Sequence, residues 1–133
     1  MATEAIKTTV VPQVDRISFL PNLFGELCVR VENAVYDHMR EIAPDYRGGF
    51  WEFVQISGGG GYLRPPGKEH RLTCANGYEG TVSADAAGII ATTYALSHLS
   101  FQYPLQLLAE RYMQLRVLTM EHPECEAILD AID

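Results

Sequence analysis

The sequence has no apolar run long enough to cross a membrane: charge or glycine interrupts its hydrophobic stretches every few positions, well short of the roughly 20 residues a spanning helix needs. The first eleven residues carry Glu4 and Lys7 and no apolar block, so they do not read as an export signal, and the cytoplasm is the expected location. Cysteine is sparse. Cys28, Cys74 and Cys125 are odd in number, widely spaced and part of no CxxC pair, which argues against a disulfide framework or a zinc site and for reduced, mostly buried thiols. Positive charge is short too, with 10 Lys and Arg against 17 Asp and Glu and a net charge of -7. Without a basic stripe, no strong direct binding to nucleic acid is expected.

The acidic excess is itself too small for imitation of DNA by the whole surface. A domain of this length is about 35 Å across, and a duplex carries one charge per about 1.7 Å. Matching it takes about 20 anions on one face, more than the 17 of the entire chain, and basic residues are interspersed among those.

Motifs for cofactors and nucleophiles are also missing. From Gly61 to Gly67-Lys68 there are five intervening residues where a phosphate loop has four, and Glu69 replaces the metal-binding hydroxyl. After Gly58 and Gly60, the third glycine of a dinucleotide fingerprint would fall on Leu63. Ser57 and Ser83 lack a GxSxG elbow. His38, His70, His98 and His122 are scattered singly and read as surface or partly buried packing residues. Asp130 and Asp133, one helical turn apart, read as a solvated face before they read as metal ligands. No cofactor or metal is expected.

What the chain does contain is material for a single core: 133 residues with 47% hydrophobic content, enough for one domain and too few for two. Residues 1–15 read as a flexible arm. An apolar anchor follows at residues 19–25, with Pro21 suited to the first turn of a short helix. Leu27, Val31, Ala34, Val35, His38 and Ile42 recur at helical spacing, leaving Glu32 on the polar face, and the helix should stop near Ala43, before Pro44. Residues 50–56 form the strongest strand, with apolar groups on both faces as in a central strand. A glycine loop at residues 57–61 leads to a second strand at 61–64, and third and fourth strands are expected near 70–74 and 78–82. Residues 84–98 are apolar nearly all round and predict a central helix in which Gly88 permits a close approach. Leu105, Leu108, Tyr112 and Leu115 stripe the next helix. Pro123 opens a last one, with Cys125, Ile128, Leu129 and Ile132 facing inward.

Residues 76–89 combine turn, strand and helix start without interruption. A two-residue turn at Asn76-Gly77 would pair Cys74 with Glu79, whereas a three-residue loop, Ala75-Asn76-Gly77, sets Cys74 opposite Tyr78 and keeps the apolar residues on one face. The longer loop is the expectation, with Gly77 at positive φ. Ser83 then reads as an N-cap, and Asp85 as a first-turn carboxylate favoured by the helix dipole. Trp51 and Tyr62 read as core or sheet-face residues. Their exposure in a cluster would instead mark a partner surface.

Six blocks carry a resemblance when taken in order: Phe19-Leu20-Pro21 with Phe24-Gly25; Asp45-Tyr46-Arg47-Gly48-Gly49-Phe50-Trp51-Glu52-Phe53; Gly60-Gly61-Tyr62; Asn76-Gly77-Tyr78-Glu79-Gly80; Ser83-Ala84-Asp85-Ala86-Ala87-Gly88-Ile89; and His122-Pro123-Glu124 with Ala131-Ile132-Asp133. Together they resemble the ArdB/KlcA antirestriction family. The resemblance implies an α+β fold, which agrees with the elements read above: a single domain with a small antiparallel β-meander of three to four strands packed against four or five helices. It further implies a bacterial protein carried by plasmids or other mobile elements, which relieves type I restriction of incoming DNA without enzymatic activity and without imitating DNA. The implied partner is a type I restriction-modification enzyme or a host factor linked to it. Carried over by motif, Trp51, Ser83, Asp85 and Asp133 are interaction candidates, and Glu32 is added from its place on the first long helix. Two other classes stay open: a small hydrolase or metal-dependent enzyme assembled from dispersed Asp and His residues, and a binder of DNA ends or RNA.

Overall fold

The helix Ala84–Gln102 organises the rest of the molecule. In the computed structural model, which describes residues 6–133, the elements are β1 (Thr8–Val10), α1 (Arg16–Phe24), α2 (Cys28–Ile42), β2 (Glu52–Ile56), β3 (Gly61–Arg64), β4 (Glu69–Thr73), β5 (Glu79–Ser83), α3 (Ala84–Gln102), α4 (Gln106–Glu121) and α5 (Cys125–Ile132). Short 3-10 turns occupy Gln13–Asp15 and Gly25–Leu27. The fold is a mixed α+β domain, as the resemblance implied. All strand pairings are antiparallel, but they form two sheets, β1-β2-β3 and the hairpin β4-β5.

Helix α3 is buried on nearly every side because its residues are apolar or small on nearly every side, and α2, α4, α5 and β3 all pack against it. Gly88 sets the closest approach. A Cβ there would lie 2.2 Å from the Leu63 carbonyl oxygen and 2.9 Å from Arg64 Cα. Only a residue without a side chain lets α3 lie against β3 at that distance. One turn further along, Thr92 Oγ1 accepts from the Leu63 N–H at 3.2 Å, so the helix satisfies an amide at the sheet edge as well as covering it.

Residues 8–15 are not an arm. Strand β1 pairs with β2 through Thr9 opposite Gln55, and the Val11 N–H donates to the Phe53 carbonyl at 2.8 Å. The physical reason is that β2, apolar on both faces, is central and therefore needs a partner on each side, and the β-branched run of residues 8–11 supplies one. Residues 1–5 of the expected arm lie outside the described residues. Pro21 also departs from expectation, lying inside α1 and not in its first turn. The missing proline N–H would have served the Ile17 carbonyl, and Ile17 is on the solvent side, so water can take its place. Gly25 ends α1 with φ of 64°. Strand β2 starts at Glu52, later than expected, which leaves Phe50 exposed and Trp51 buried just ahead of it. Helix α3 runs four residues past His98 to Gln102, and Leu105 caps α4 while staying half exposed.

The hairpin register follows the three-residue loop. Leu72 pairs with Gly80 and Thr73 with Glu79, the Cys74 N–H donates to the Tyr78 carbonyl at 2.8 Å, and Gly77 has φ of 96°. Asn76 adds a long-range role, because its Nδ2 donates to the carbonyls of Asp130 (2.9 Å) and Ala131 (3.1 Å) at the end of α5.

Candidate functional site

Where β5 becomes α3, the chain changes direction at Ser83, and two other segments, β3 and the α4–α5 turn, converge on that point. Ser83 is the N-cap: its φ and ψ are -62° and 160°, and its Oγ accepts from the Ala86 N–H at 3.1 Å. The same hydroxyl donates to Glu124 Oε2, while the Ser83 N–H donates to Glu124 Oε1 at 2.9 Å. One carboxylate from the turn between α4 and α5 therefore closes over the start of α3.

Asp85 is held from the opposite side. Its Oδ1 accepts from the Tyr62 hydroxyl at 2.5 Å and from Arg64 Nη1 at 3.1 Å, and its Oδ2 faces His122 Nε2 at 2.8 Å. Arg64 also donates to Glu52 Oε1 from Nε (3.1 Å) and Nη2 (2.9 Å). Burial pushes the Asp85 carboxyl upward, but the hydrogen bonds from His122, Tyr62 and Arg64 outweigh it and hold the group below its usual range. Burial, followed by the adjacent Asp85 carboxylate, drives the Tyr62 phenol far above its ordinary value.

The chemistry of this network follows from its protons. The Glu124 N–H donates to His122 Nδ1 at 2.9 Å, so the neutral ring carries its proton on Nε2 and gives it to Asp85. Neither ring nitrogen is left to take a proton from Ser83, whose own proton goes to Glu124. A serine relay needs an imidazole nitrogen facing the nucleophile. The geometry instead suits a clamp that joins β3, the β5–α3 junction and the α4–α5 turn. Among the described residues, no three His, Cys, Asp or Glu side chains come together as metal ligands, and no buried side-chain polar atom lacks a partner.

The other candidates lie elsewhere. Trp51 is only 4% exposed; its Nε1 donates to the Tyr46 hydroxyl at 2.7 Å and its ring meets Tyr36 and Tyr46 edge-on. Glu32 belongs to the same cluster, accepting from the Tyr36 hydroxyl at 2.7 Å, and burial followed by this carboxylate pushes the Tyr36 phenol well upward. Asp133 caps α5 through its N–H to the Leu129 carbonyl and sits 3.2 Å from Arg116 Nη1 with most of its side chain in solvent. The five candidates thus occupy three places: Ser83 with Asp85, Trp51 with Glu32, and Asp133 alone.

His38 is a partly buried packing residue, as expected: it stacks on Tyr94 with centroids 5.6 Å apart and meets His98 edge-on at 6.0 Å, and burial lowers its pKa. His122 does more, being a member of the clamp. Sequence reasoning names neither it nor Glu124 as a site residue, although both stand in the block His122-Pro123-Glu124; nothing local tells that this block folds back on residues some forty positions earlier. The glycine loop also finds its explanation in packing. Cβ atoms at Gly59 and Gly60 would fall 2.7 and 2.9 Å from the Gln114 side-chain amide, so the loop is bare because α4 lies on it.

Comparison with known proteins agrees over the whole chain. A sequence model of the antirestriction protein family matches residues 44–133. The antirestriction protein KlcA of Escherichia coli is 39% identical over 137 residues, covering 96% of this chain and 94% of its own. YubI of Escherichia coli (strain K12) is 40% identical over 134 residues, 95% of each chain. A solved structure of the KlcA and ArdB proteins superposes with a TM-score of 0.89 at 38% identity, covering 100% of both chains. Those proteins are described as having a novel fold and antirestriction activity against type I DNA restriction systems in vivo but not in vitro.

Proposed function

The chain belongs to the antirestriction protein family, and from that membership we propose that it relieves type I restriction of incoming DNA by a non-enzymatic protein contact. The observation that carries this reading is the full-length likeness to KlcA and ArdB, whose activity against type I systems is seen in vivo but not in vitro. Activity that needs the cell is what a mechanism through a host factor, or through a state of the restriction enzyme found only there, would give. The partner is therefore a type I restriction-modification enzyme or a host protein linked to it.

The charge distribution supports a route other than imitation of DNA. Glu52, Asp85, Asp37 and Asp133 are each paired with an arginine, and Glu32 and Glu124 are occupied by hydroxyl donors. Carboxylates so engaged cannot stand in for a free row of phosphates. Of the residues carried over by motif, Ser83, Asp85 and Trp51 act by holding the fold, while Asp133, paired with Arg116, keeps most of its side chain in solvent.

The test is the plating of unmodified phage on a type I restricting strain, with and without the protein. Plating is expected to rise toward that on a non-restricting strain. Equal plating in the two cases sinks the proposal.

A further inference from the structure

Resting on that functional reading, we infer that the cleft beside Phe50 is the surface that meets the partner, and that its occupant is a protein segment carrying a carboxylate next to an apolar side chain. The cleft has a volume of about 310 Å³, and its walls include Arg16, Arg40, Tyr46, Phe50 and Trp51.

Most of the block containing these residues is explained by the fold, and Phe50 is not. Trp51 is buried and bonded to Tyr46. Gly48 and Gly49 adopt φ of 85° and 130°, and a Cβ at Gly49 would fall 2.7 Å from Pro66 Cγ, so the loop rests directly on the chain beyond β3. The loop packs on the fold just ahead of Phe50, yet the Phe50 side chain is 66% exposed. The Arg16 guanidinium lies 4.4 Å from the Phe50 ring centroid and 3.9 Å from that of Phe53, which holds the exposed ring up at the cleft rim. An aromatic side chain beside arginine is the composition of binding hot spots.

The fixed charges decide the occupant. Among the described residues, Arg16 enters no ion pair. A guanidinium stacked on a ring keeps N–H groups on its edge, placed for a carboxylate. Arg40, paired with Asp37, is the second cation on the cleft wall. One carboxylate satisfies this arrangement, while the chain's net charge of -7 opposes the run of phosphates that a nucleic-acid strand would bring.

The experiment compares the unsubstituted protein with Phe50→Ala and Phe50→Asp in the phage-plating assay, at matched abundance and with thermal midpoints measured on the purified proteins. Because Phe50 is exposed, the midpoints should stay close to that of the unsubstituted protein. Protection should fall about tenfold or more for Phe50→Ala, and further for Phe50→Asp. Full protection by Phe50→Asp overturns this inference and leaves the functional reading standing; no protection by the unsubstituted protein overturns both. Binding of a labelled oligothymidylate at low salt, abolished by Phe50→Ala, would replace the protein occupant with nucleic acid and likewise overturn it.

Discussion

Removal of the Asp85 carboxylate tests whether the clamp at the start of α3 is structural. In Asp85→Ala the Tyr62 hydroxyl loses its acceptor in a residue with no solvent exposure, and His122 Nε2 loses its partner with only 10% of that side chain exposed. A buried polar group left unpaired costs about 1–3 kcal/mol. Arg64 is more open and keeps Glu52, so its share is small. The gain from no longer burying a carboxylate offsets part of the loss, which leaves about 2–4 kcal/mol of destabilisation. For a chain of this size that is a fall in melting midpoint of about 10 °C. Urea denaturation of the purified variant measures it. The pH dependence gives a second check. The folded-state pKa of Asp85 lies below its unfolded value, so its contribution is complete above about pH 4 and is lost as pH falls through the folded value. The acid limb of the stability curve should therefore be shallower in Asp85→Ala. An unchanged urea midpoint together with lost phage protection would refute the argument and make Asp85 a contact residue.

Two further outcomes follow from the packing and the titrating groups. Gly88→Ala should destabilise by about 2 kcal/mol or more even though alanine is the better helix former, because its Cβ would overlap the Leu63 carbonyl and part Thr92 from the Leu63 N–H; thermal melting at or above the wild-type midpoint would contradict this. Tyr94 is pushed up to about 12, chiefly by burial, and Tyr36 and Tyr62 are raised further. These phenols stabilise the fold below about pH 10, and that contribution is lost as pH rises through their folded values. A spectrophotometric titration should show them ionising only with alkaline unfolding, and ionisation of all seven tyrosines near pH 10 in a folded protein would count against it.

Local physics made some elements legible and left others hidden. The loop at Ala75-Asn76-Gly77, the cap at Ser83, the stop of α2 before Pro44 and the close approach at Gly88 each depend on a few adjacent residues, and each was readable from them. Strand β1 was missed although residues 8–11 are β-branched, because a short edge strand draws its stability from the strand beside it and not from its own pattern. The division into two sheets was equally hidden, since nothing in the residues of β3 and β4 tells that the connection through Pro65, Pro66 and Gly67 separates them. At the site, Ser83 and Asp85 announced themselves by position. Their partners Glu124, His122 and Tyr62 are brought in by tertiary packing, which no spacing encodes.

Bonding capacity separates the residues that hold this fold from those able to reach beyond it. Asp85 accepts three hydrogen bonds, Glu124 is closed over the Ser83 cap, and Trp51 is buried with its one donor engaged. For any of these to bind a partner, an existing bond must first be given up, and each such exchange returns little net free energy. Phe50 and Arg16 carry no such obligation: the ring is 66% exposed, and the guanidinium lying over it has no carboxylate among the described residues. Substitutions at the first group should therefore lower protection in proportion to lost folded protein, whereas substitutions at the second should lower it in a protein that melts normally. The same sequence block holds both kinds of residue side by side in Phe50 and Trp51, so the pair separates the two roles within a single loop.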